Sequence, residues 1–500
     1  MPFAKFKFKP GINKEGTNYS NENGWFDADK IRFRKGRPEK IGGWEKHSAN
    51  TFIGTCRKIH VYSDIEQTKY KILGTHKKLY ALEGNVYNDI TPIRTTTSAG
   101  DVTFAATNGS STITATDTSH GAIIGDFVTF SGASSLGGNI TAAVLNQEYE
   151  VVSVPNNNSF TFTAKNTSGT EVTANSSDSG NGGSSVVGTY QINVGLDTYV
   201  SSTGWGVGSW GAGGFGSTTP LSLTNQLRLW TIDNFGDDVI AAPRGGPIYY
   251  WDESSGLTTR AVEASTRSGA SNTPVAVSQL LMSDIDRHVI ALGCNPIGSS
   301  TIDPLLVRFS DSENAVDWTP TATNSAGGVR LSTGSLIIGG LQTRQEILIW
   351  TDVGVVSMRF VGQPFVFSFN EIATGMSLIS PNGAATAGGV VYFMDDGAFY
   401  QYAGSVQKLP CTVLDYIFSD FNQTQSYKVF AAANPKYNEI IWFYPSADST
   451  EINRYVTYNY LENNWSIGTT NDGFVRTAWN PSYSLDYPLA ASKNDTSGLN

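Results

Sequence analysis

The sequence predicts an all-β chain whose main body is a β-propeller of about six blades, interrupted by a small inserted β-sandwich or barrel. Three observations carry this reading. Aromatics are 12% of the 500 residues, glycine occurs 52 times and charged residues are only 16%, which suits many short strands joined by tight turns. No sustained 3.6-residue apolar period competes with them. Two segments, Ile349-Trp350-Thr351-Asp352-Val353-Gly354-Val355-Val356 and Tyr392-Phe393-Met394-Asp395-Asp396-Gly397-Ala398-Phe399, echo each other at an offset of 43 residues. Each reads as strand, Asp-x-Gly turn and strand, and a period of roughly 40 to 45 residues is that of one propeller blade.

Taken in order, residues 1–95 read as N-terminal strands and first blade. Phe6 and Phe8 alternate with Lys5, Lys7 and Lys9 as on a half-buried strand whose lysines protect an edge. Ile72 to Leu82 reads as a blade hairpin with Lys77-Lys78 near its turn. Residues 96–188 shift to Ser, Thr, Asn and Gly but keep strand patterns at Val102–Phe104, Thr112–Ala115, Phe127–Phe130, Glu148–Val154 and Phe160–Thr163, and form the inserted β domain. Asn175 to Ser185, almost all Ser, Gly and Asn, is expected to be its flexible exit.

Residues 189–500 hold the remaining blades. Strand pairs are expected between Leu227–Trp230 and Ile248–Trp251, between Val289–Leu292 and Leu305–Phe309, in the two echoing hairpins, and between Ile440–Tyr444 and Tyr455–Tyr460. Trp350, Phe393 and Trp442 are expected in comparable places, and Val413 to Phe421 is the one expected helix. Asp352, Gly354, Asp395, Asp396 and Gly397 are read as blade-turn residues. At the C-terminus either the N-terminal strand completes the last sheet or the native chain continues beyond Asn500.

Charge is distributed unevenly. Residues 1–80 hold 17 Lys and Arg against 8 Asp and Glu, whereas the rest hold 17 against 36. The densest basic stretch is Lys30, Arg32, Arg34, Lys35, Arg37 and Lys40, with Ile31 and Phe33 alternating as on a strand with one wet face. It reads as a solvated strand face or as a contact with an acidic protein surface or nucleic acid. Residues 203–217 alternate glycine with Trp205, Trp210 and Phe215; the rings interrupt any phosphate-loop pattern, so this is read as a packed or interface loop.

The N-terminus lacks the apolar core of a signal peptide, and no stretch approaches the ~20 apolar residues of a membrane helix. Cys56, Cys294 and Cys411 are odd in number and far apart, which fits reduced thiols made in a cytosol. The five histidines have no metal-ligand spacing.

A family resemblance enters on an ordered series of motifs. Arg308-Phe309-Ser310-Asp311, Asp317-Trp318-Thr319-Pro320, Ile349-Trp350-Thr351-Asp352, Gly397-Ala398-Phe399-Tyr400-Gln401-Tyr402, Asn438-Glu439-Ile440-Ile441-Trp442-Phe443-Tyr444-Pro445 and Glu462-Asn463-Asn464-Trp465 are joined by Gly11-Ile12-Asn13, Ile31-Arg32-Phe33-Arg34, Gly42-Gly43-Trp44 and the Gly/Trp loop. Together they resemble the tail nozzle, or packaged-DNA stabilisation, proteins of short-tailed bacteriophages, over residues 1–95 and 190–490. The resemblance implies a propeller subunit of a homohexameric ring in the virion tail, synthesised in the host cytoplasm, with the tail adaptor above it. Tail fibres or a tail needle are further partners, and packaged double-stranded DNA passes through the lumen without sequence-specific binding. It implies no cofactor, no metal and no small-molecule substrate. On this reading the basic N-terminal region faces the adaptor and acidic residues line the bore, where weak phosphate contact lets DNA slide.

Two other classes compete. A propeller adhesin would use the polar insertion as its platform for a host surface. A propeller glycosidase would need paired carboxylates, but Asp395-Asp396 are adjacent on a strand or share a turn, which suits acid/base work poorly. Ser310 to Trp318 faintly resembles the Asp-box turn of sialidases but lacks its glycine. No enzyme activity is expected.

Overall fold

In a computed structural model the described residues are 8–17, 19, 21–178, 180–199, 226–470, 475–482, 484, 485, 487–493, 498 and 499. They form a β-propeller carrying an inserted β-sandwich. Seven sheets make the ring, each built from consecutive antiparallel strands. Blade one comprises Cys56–Ser63, Lys69–Thr75, Leu79–Glu83 and Val86–Asp89; blade two comprises Trp230–Phe235, Asp238–Pro243, Tyr249–Trp251 and Val262–Glu263. Blade three comprises Val277–Met282, Val289–Cys294, Asp303–Phe309 and Gly327–Arg330; blade four comprises Ile337–Gln342, Ile347–Thr351, Gly354–Gly362 and Val366–Thr374. Blade five comprises Ala384–Ala387, Val390–Met394, Phe399–Tyr402 and Val406–Lys408; blade six comprises Phe430–Asn434, Glu439–Tyr444, Arg454–Asn459 and Asn464–Thr469. Blade seven has three described strands, Val475–Asn480, Leu489–Lys493 and Gly498–Leu499. Among the described residues the count is thus six four-stranded blades and three strands of a seventh, against the expected six or so.

Hydrogen bonds from each blade to the next close the circle, among them Leu280 N–H to Thr231 Oγ1 (3.1 Å) between blades two and three and Tyr402 OH to Glu346 (2.5 Å) between blades four and five. Trp230 Nε1 donates to the Thr75 carbonyl (2.8 Å), Gln279 Nε2 to Gly340 (2.8 Å), Trp442 Nε1 to Gly383 (3.1 Å) and Trp479 Nε1 to Ala433 (3.1 Å). Thr477 Oγ1 donates to Cys56 (2.6 Å) and joins blade seven to blade one. Between blades lie apolar layers in which Trp230, Trp350, Trp442 and Trp465 are fully buried. Burial of one such ring stabilises by about 2–3 kcal/mol, so the layers, rather than strand propensity, hold the blades face to face.

Strand direction gives the ring two faces. Turns joining strands one to two and three to four of every blade lie on what we call the first face; turns joining strands two to three, and the crossovers, lie on the second. The inserted domain springs from the last strand of blade one and so sits on the second face. Its sheets are Glu148–Glu150, Phe127–Ser131, Val187–Gln191 and Ile93–Thr96 on one side, and Ser153–Asn156, Ser159–Thr163, Thr112–Thr116 and Thr103–Ala106 on the other. Their shared core holds Phe104, Phe130, Tyr149, Phe160, Phe162 and Tyr190. Lys78, at the blade-one turn, is 2.7 Å from Asp89 and also pairs with Glu148, while Lys77 reaches Glu150 at 2.6 Å, so the expected hairpin lysines seat the insertion on the ring.

Three expectations are corrected. The two echoing hairpins are consecutive blade hairpins, but the fold repeats at 44 residues: Trp350 pairs with Val355 as Met394 pairs with Phe399. One residue of slip reverses every side chain. Trp350 and Phe393 are therefore not equivalent; they face each other across the layer between blades four and five, ring centroids 5.3 Å apart. In blade two, Leu227–Trp230 does not pair with Ile248–Trp251, because Asp238–Pro243 runs between them. The described part of 175–185 is stitched to the sandwich: Phe104 N–H donates to Asn181 (2.9 Å) and Ser134 N–H to Gly182 (2.7 Å). Gly182 (φ +88) lies so close to the Phe104 ring that a Cβ would come within 2.7 Å of it. The expected helix is present as Leu414–Ser419.

Candidate partner interface

The N-terminal segment leaves the ring and clasps blade six from outside. Ile12 N–H donates to the Trp465 carbonyl (2.8 Å) and Thr412 Oγ1 donates to Ile12 (2.5 Å). Gly11 (φ +93) passes Asn464 at a distance where an added Cβ would be 2.9 Å from the asparagine Cβ. The chain then forms the hairpin Ile31–Arg34 and Arg37–Lys40, which lies against the last strand of blade six. Glu462 accepts from the N–H groups of Lys35 and Gly36 at its tip, and Asp29 accepts from Thr469 N–H (2.8 Å) at its base.

This placement separates the basic residues by role. Arg32 is buried: its Nε is 2.9 Å and its Nη2 3.1 Å from the two carboxylate oxygens of Glu439, and its guanidinium lies 3.5 Å over the Tyr437 ring. Burial pushes the Glu439 carboxyl up while Arg32 holds it down, as for an acid carried inward by its partner. Arg34, Lys35, Arg37 and Lys40 are exposed and Lys30 is half-buried. The strand pattern suggested cations on one wet face; Arg32 instead points into a second packed face supplied by blade six.

Next to the hairpin, Ile41 to His47 borders a cleft of about 490 Å³ at the junction of blades six and seven. Its walls are aromatic and cationic. Trp44, 41% exposed, meets Trp479 edge to face at 5.3 Å, with the Arg476 guanidinium 4.4 Å from its ring centroid. Lys46, Lys436, Tyr437 and Tyr487 complete the rim, with Glu45 the acid on it. Gly42-Gly43-Trp44 was legible only as a motif; its partners Trp479 and Tyr487 lie more than 400 residues away, beyond any local pattern.

A second charged cluster lies on the second face, where blades six, seven and one meet. Arg57 Nη2 is 2.9 Å from Asp197 and 2.8 Å from Glu451; Lys428 is 3.3 Å and Lys493 3.1 Å from Glu451, and Lys493 also pairs with Asp197. Although burial opposes it, the surrounding cations hold the Glu451 carboxyl down to about 2, and hold Asp197 well below the usual carboxylate range. Burial brings Lys428 down to about 8. The segment returning from the insertion packs here: Gln425 bonds both the N–H and the carbonyl of Tyr199 (3.1 and 2.8 Å). Neither the cluster nor its cross-chain pairing was readable from sequence. Trp205, Trp210 and Phe215, proposed as an interface loop, lie outside the described residues.

Asp352 occupies the turn after the second strand of blade four, where it accepts from Ser335 N–H (2.7 Å), and Gly354 opens the third strand directly after that turn. Asp395, Asp396 and Gly397 occupy the corresponding turn of blade five, and Asp395 accepts from the N–H groups of Ser377 and Asp396 (3.2 and 2.8 Å). Burial raises Asp395 above the usual carboxylate range. These acids tie a blade's turn to the segment leading into its first strand. Among the described residues no group of three or more His, Cys, Asp or Glu could hold a metal ion. Burial pushes all three thiols up to about 12, which suits inert cysteines. No helix among the described residues is long and apolar enough to cross a membrane.

No family model and no curated protein matches the chain. Solved structures with some likeness include the Myceliophteria thermophila Cps50 (Swd1) β-propeller domain, at 8% identity over 82% of this chain and 98% of that one, TM-score 0.33. A Synechocystis apocarotenoid oxygenase mutant aligns at 8% identity over 80% and 88%, TM-score 0.32. The endosialidase of phage phi92 aligns at 13% identity over 82% and 55%, TM-score 0.21. Likeness at this level says nothing of function, and the fold stands on the sheet order described above.

Proposed function

We propose that this chain is a structural subunit of a short phage tail, a nozzle protomer that assembles into a ring below the portal and adaptor and conducts packaged DNA. The observation that supports it most is where the resembling motifs lie. Gly11-Ile12-Asn13, Ile31 to Arg34, Asn438 to Pro445 and Glu462 to Trp465, drawn from both ends of the chain, form one clasp: Ile12 on Trp465, Arg32 on Glu439, Lys35 and Gly36 on Glu462. Gly42-Gly43-Trp44 lines the adjoining cleft. Motifs that share one structural unit belong together more strongly than motifs that merely follow one another. The basic hairpin exposes Arg34, Lys35, Arg37 and Lys40 on this side, suited to an acidic adaptor surface. The chain's acidic remainder suits a bore that does not retain phosphates.

On this reading the protein works as a rigid conduit in the virion and catalyses nothing; its titratable side chains serve turns, clasps and seams. Labelling the chain in purified particles tests the proposal, with label expected at the distal end of the tail and nowhere on the capsid. The insertion supports a secondary role in host contact, since it is a separately cored domain standing on one face. Unaltered adsorption of particles lacking residues 96–188 would remove that role.

A further inference from the structure

The third and fourth strands of blade four are longer than the blade that holds them. Gly354–Gly362 pairs with the second strand only as far as Met358, opposite Ile347, so Arg359 to Phe365 project from the first face as a hairpin tip, while Val366 is already buried in the core beneath it. The tip reads Phe360-Val361-Gly362-Gln363-Pro364-Phe365, without a charge, and its Phe360, Val361 and Phe365 are 48, 55 and 78% exposed. Its base rests on His288 and Phe367. Three large apolar side chains held out on an uncharged knob need a covering surface.

The surroundings of the knob are acidic. The first-face turns of blade three beside it and of blade two beyond carry Asp237, Asp238, Asp284, Asp286, Asp311 and Glu313 against Arg287. Blade four itself adds Arg344, and Arg359 at the knob's base is paired with Glu346 (2.8 Å), so acids outnumber cations on this side, and the chain has no lysine between Lys165 and Lys408. The aromatic cleft at blades six and seven has mostly cationic surroundings: Lys46 and Lys436 on its rim against Glu45, with Arg34, Lys35, Arg37 and Lys40 against Glu39 on the adjoining hairpin. An apolar knob in an acidic field and an aromatic cleft in a basic field thus lie on one chain, about two and a half blades apart.

We infer that the occupant of the cleft is the knob of a second copy of this chain, Phe365 and its neighbours entering between Trp44, Tyr437 and Tyr487 while the flanking charges pair. Two different patches meet in this contact, so it is heterologous: each copy keeps a free knob and a free cleft, and the contact propagates to a ring or an open filament. The inference rests on the self-association in the proposed function, but not on any role in a tail.

The experiment uses the full chain and three proteins: wild type, Phe365→Asp, and the double variant Lys46→Glu/Lys436→Glu. All three sites are exposed, and an unchanged thermal melt shows that each variant folds. Native mass spectrometry at high micromolar concentration is expected to give a closed oligomer for wild type and monomer for each variant. An equimolar mixture of the two variants is expected to give dimer and nothing larger, since one retains the cleft and the other the knob. Variants that assemble like wild type would overturn this contact and leave ring formation standing. A monomeric wild type would overturn both.

Discussion

At the scale of single residues, chain ends are tied to the ring by charge pairs that join distant sequence. Breaking a buried ion pair by removing one partner costs about 3–5 kcal/mol, because the other charge stays behind unpaired. Arg32→Ala is therefore expected to lower stability by about 3 kcal/mol, read from the urea midpoint, and to admit protease cleavage within residues 28–41. A loss below about 1 kcal/mol would mean that Arg32 and Glu439 do not hold the hairpin. The second-face cluster carries a pH signature. Glu451 ionises near 2 in the folded chain against an ordinary value of 4.5, and Asp197 is lowered as well. For an acid whose folded value is depressed, the stabilisation is full above the unfolded value and is lost as pH falls through the folded one. Stability should thus decline from about pH 4.5 towards pH 2, and Glu451→Gln, less stable at neutral pH, should decline less steeply over that window. An identical slope in variant and wild type would exclude the cluster as its source.

At the scale of elements, the insertion is separable. Its first and last strands, Ile93–Thr96 and Val187–Gln191, are hydrogen-bonded neighbours, so its ends lie together, and its aromatic core is its own. Residues 93–191 expressed alone should fold, giving a cooperative thermal transition and dispersed amide resonances; a non-cooperative melt would show that the ring completes its core. Elements were also where the sequence was most and least legible. Alternation and turn chemistry were enough for the hairpins around Lys77-Lys78, Asp352 and Asp395, because those signals are local. The register was not: the echo aligns best at 43 residues while hydrogen bonding repeats at 44, since a turn residue can be matched by type without being matched by position. Asp238–Pro243 was missed because a strand buried on both sides loses alternation and begins here with an aspartate, just after Asp237 in the turn. The 175–185 segment looked like a linker by composition, yet glycine also lets backbone pack against an aromatic core, as at Gly182 and Phe104.

At the scale of the whole molecule, seven blades, one clasp and one insertion make a body with distinct faces. The second face carries the sandwich and the charged seam; the first carries the apolar knob, acidic turns and the opening of the aromatic cleft. The candidate interface was partly visible beforehand as the run from Lys30 to Lys40. What no sequence pattern supplied was that Arg32 is spent internally, or that Trp44, Trp479 and Tyr487 converge, because these contacts join residues more than 400 positions apart. The central claim is that this body is a ring subunit at the end of a short tail. Electron cryomicroscopy of the particle that carries the chain tests it most directly, by fitting the propeller into the tail density and counting copies about the axis. The account predicts six copies in one ring beneath the adaptor, with each blade-four hairpin seated in its neighbour's cleft. Single propellers at the tips of fibres, or density confined to the capsid, would contradict it.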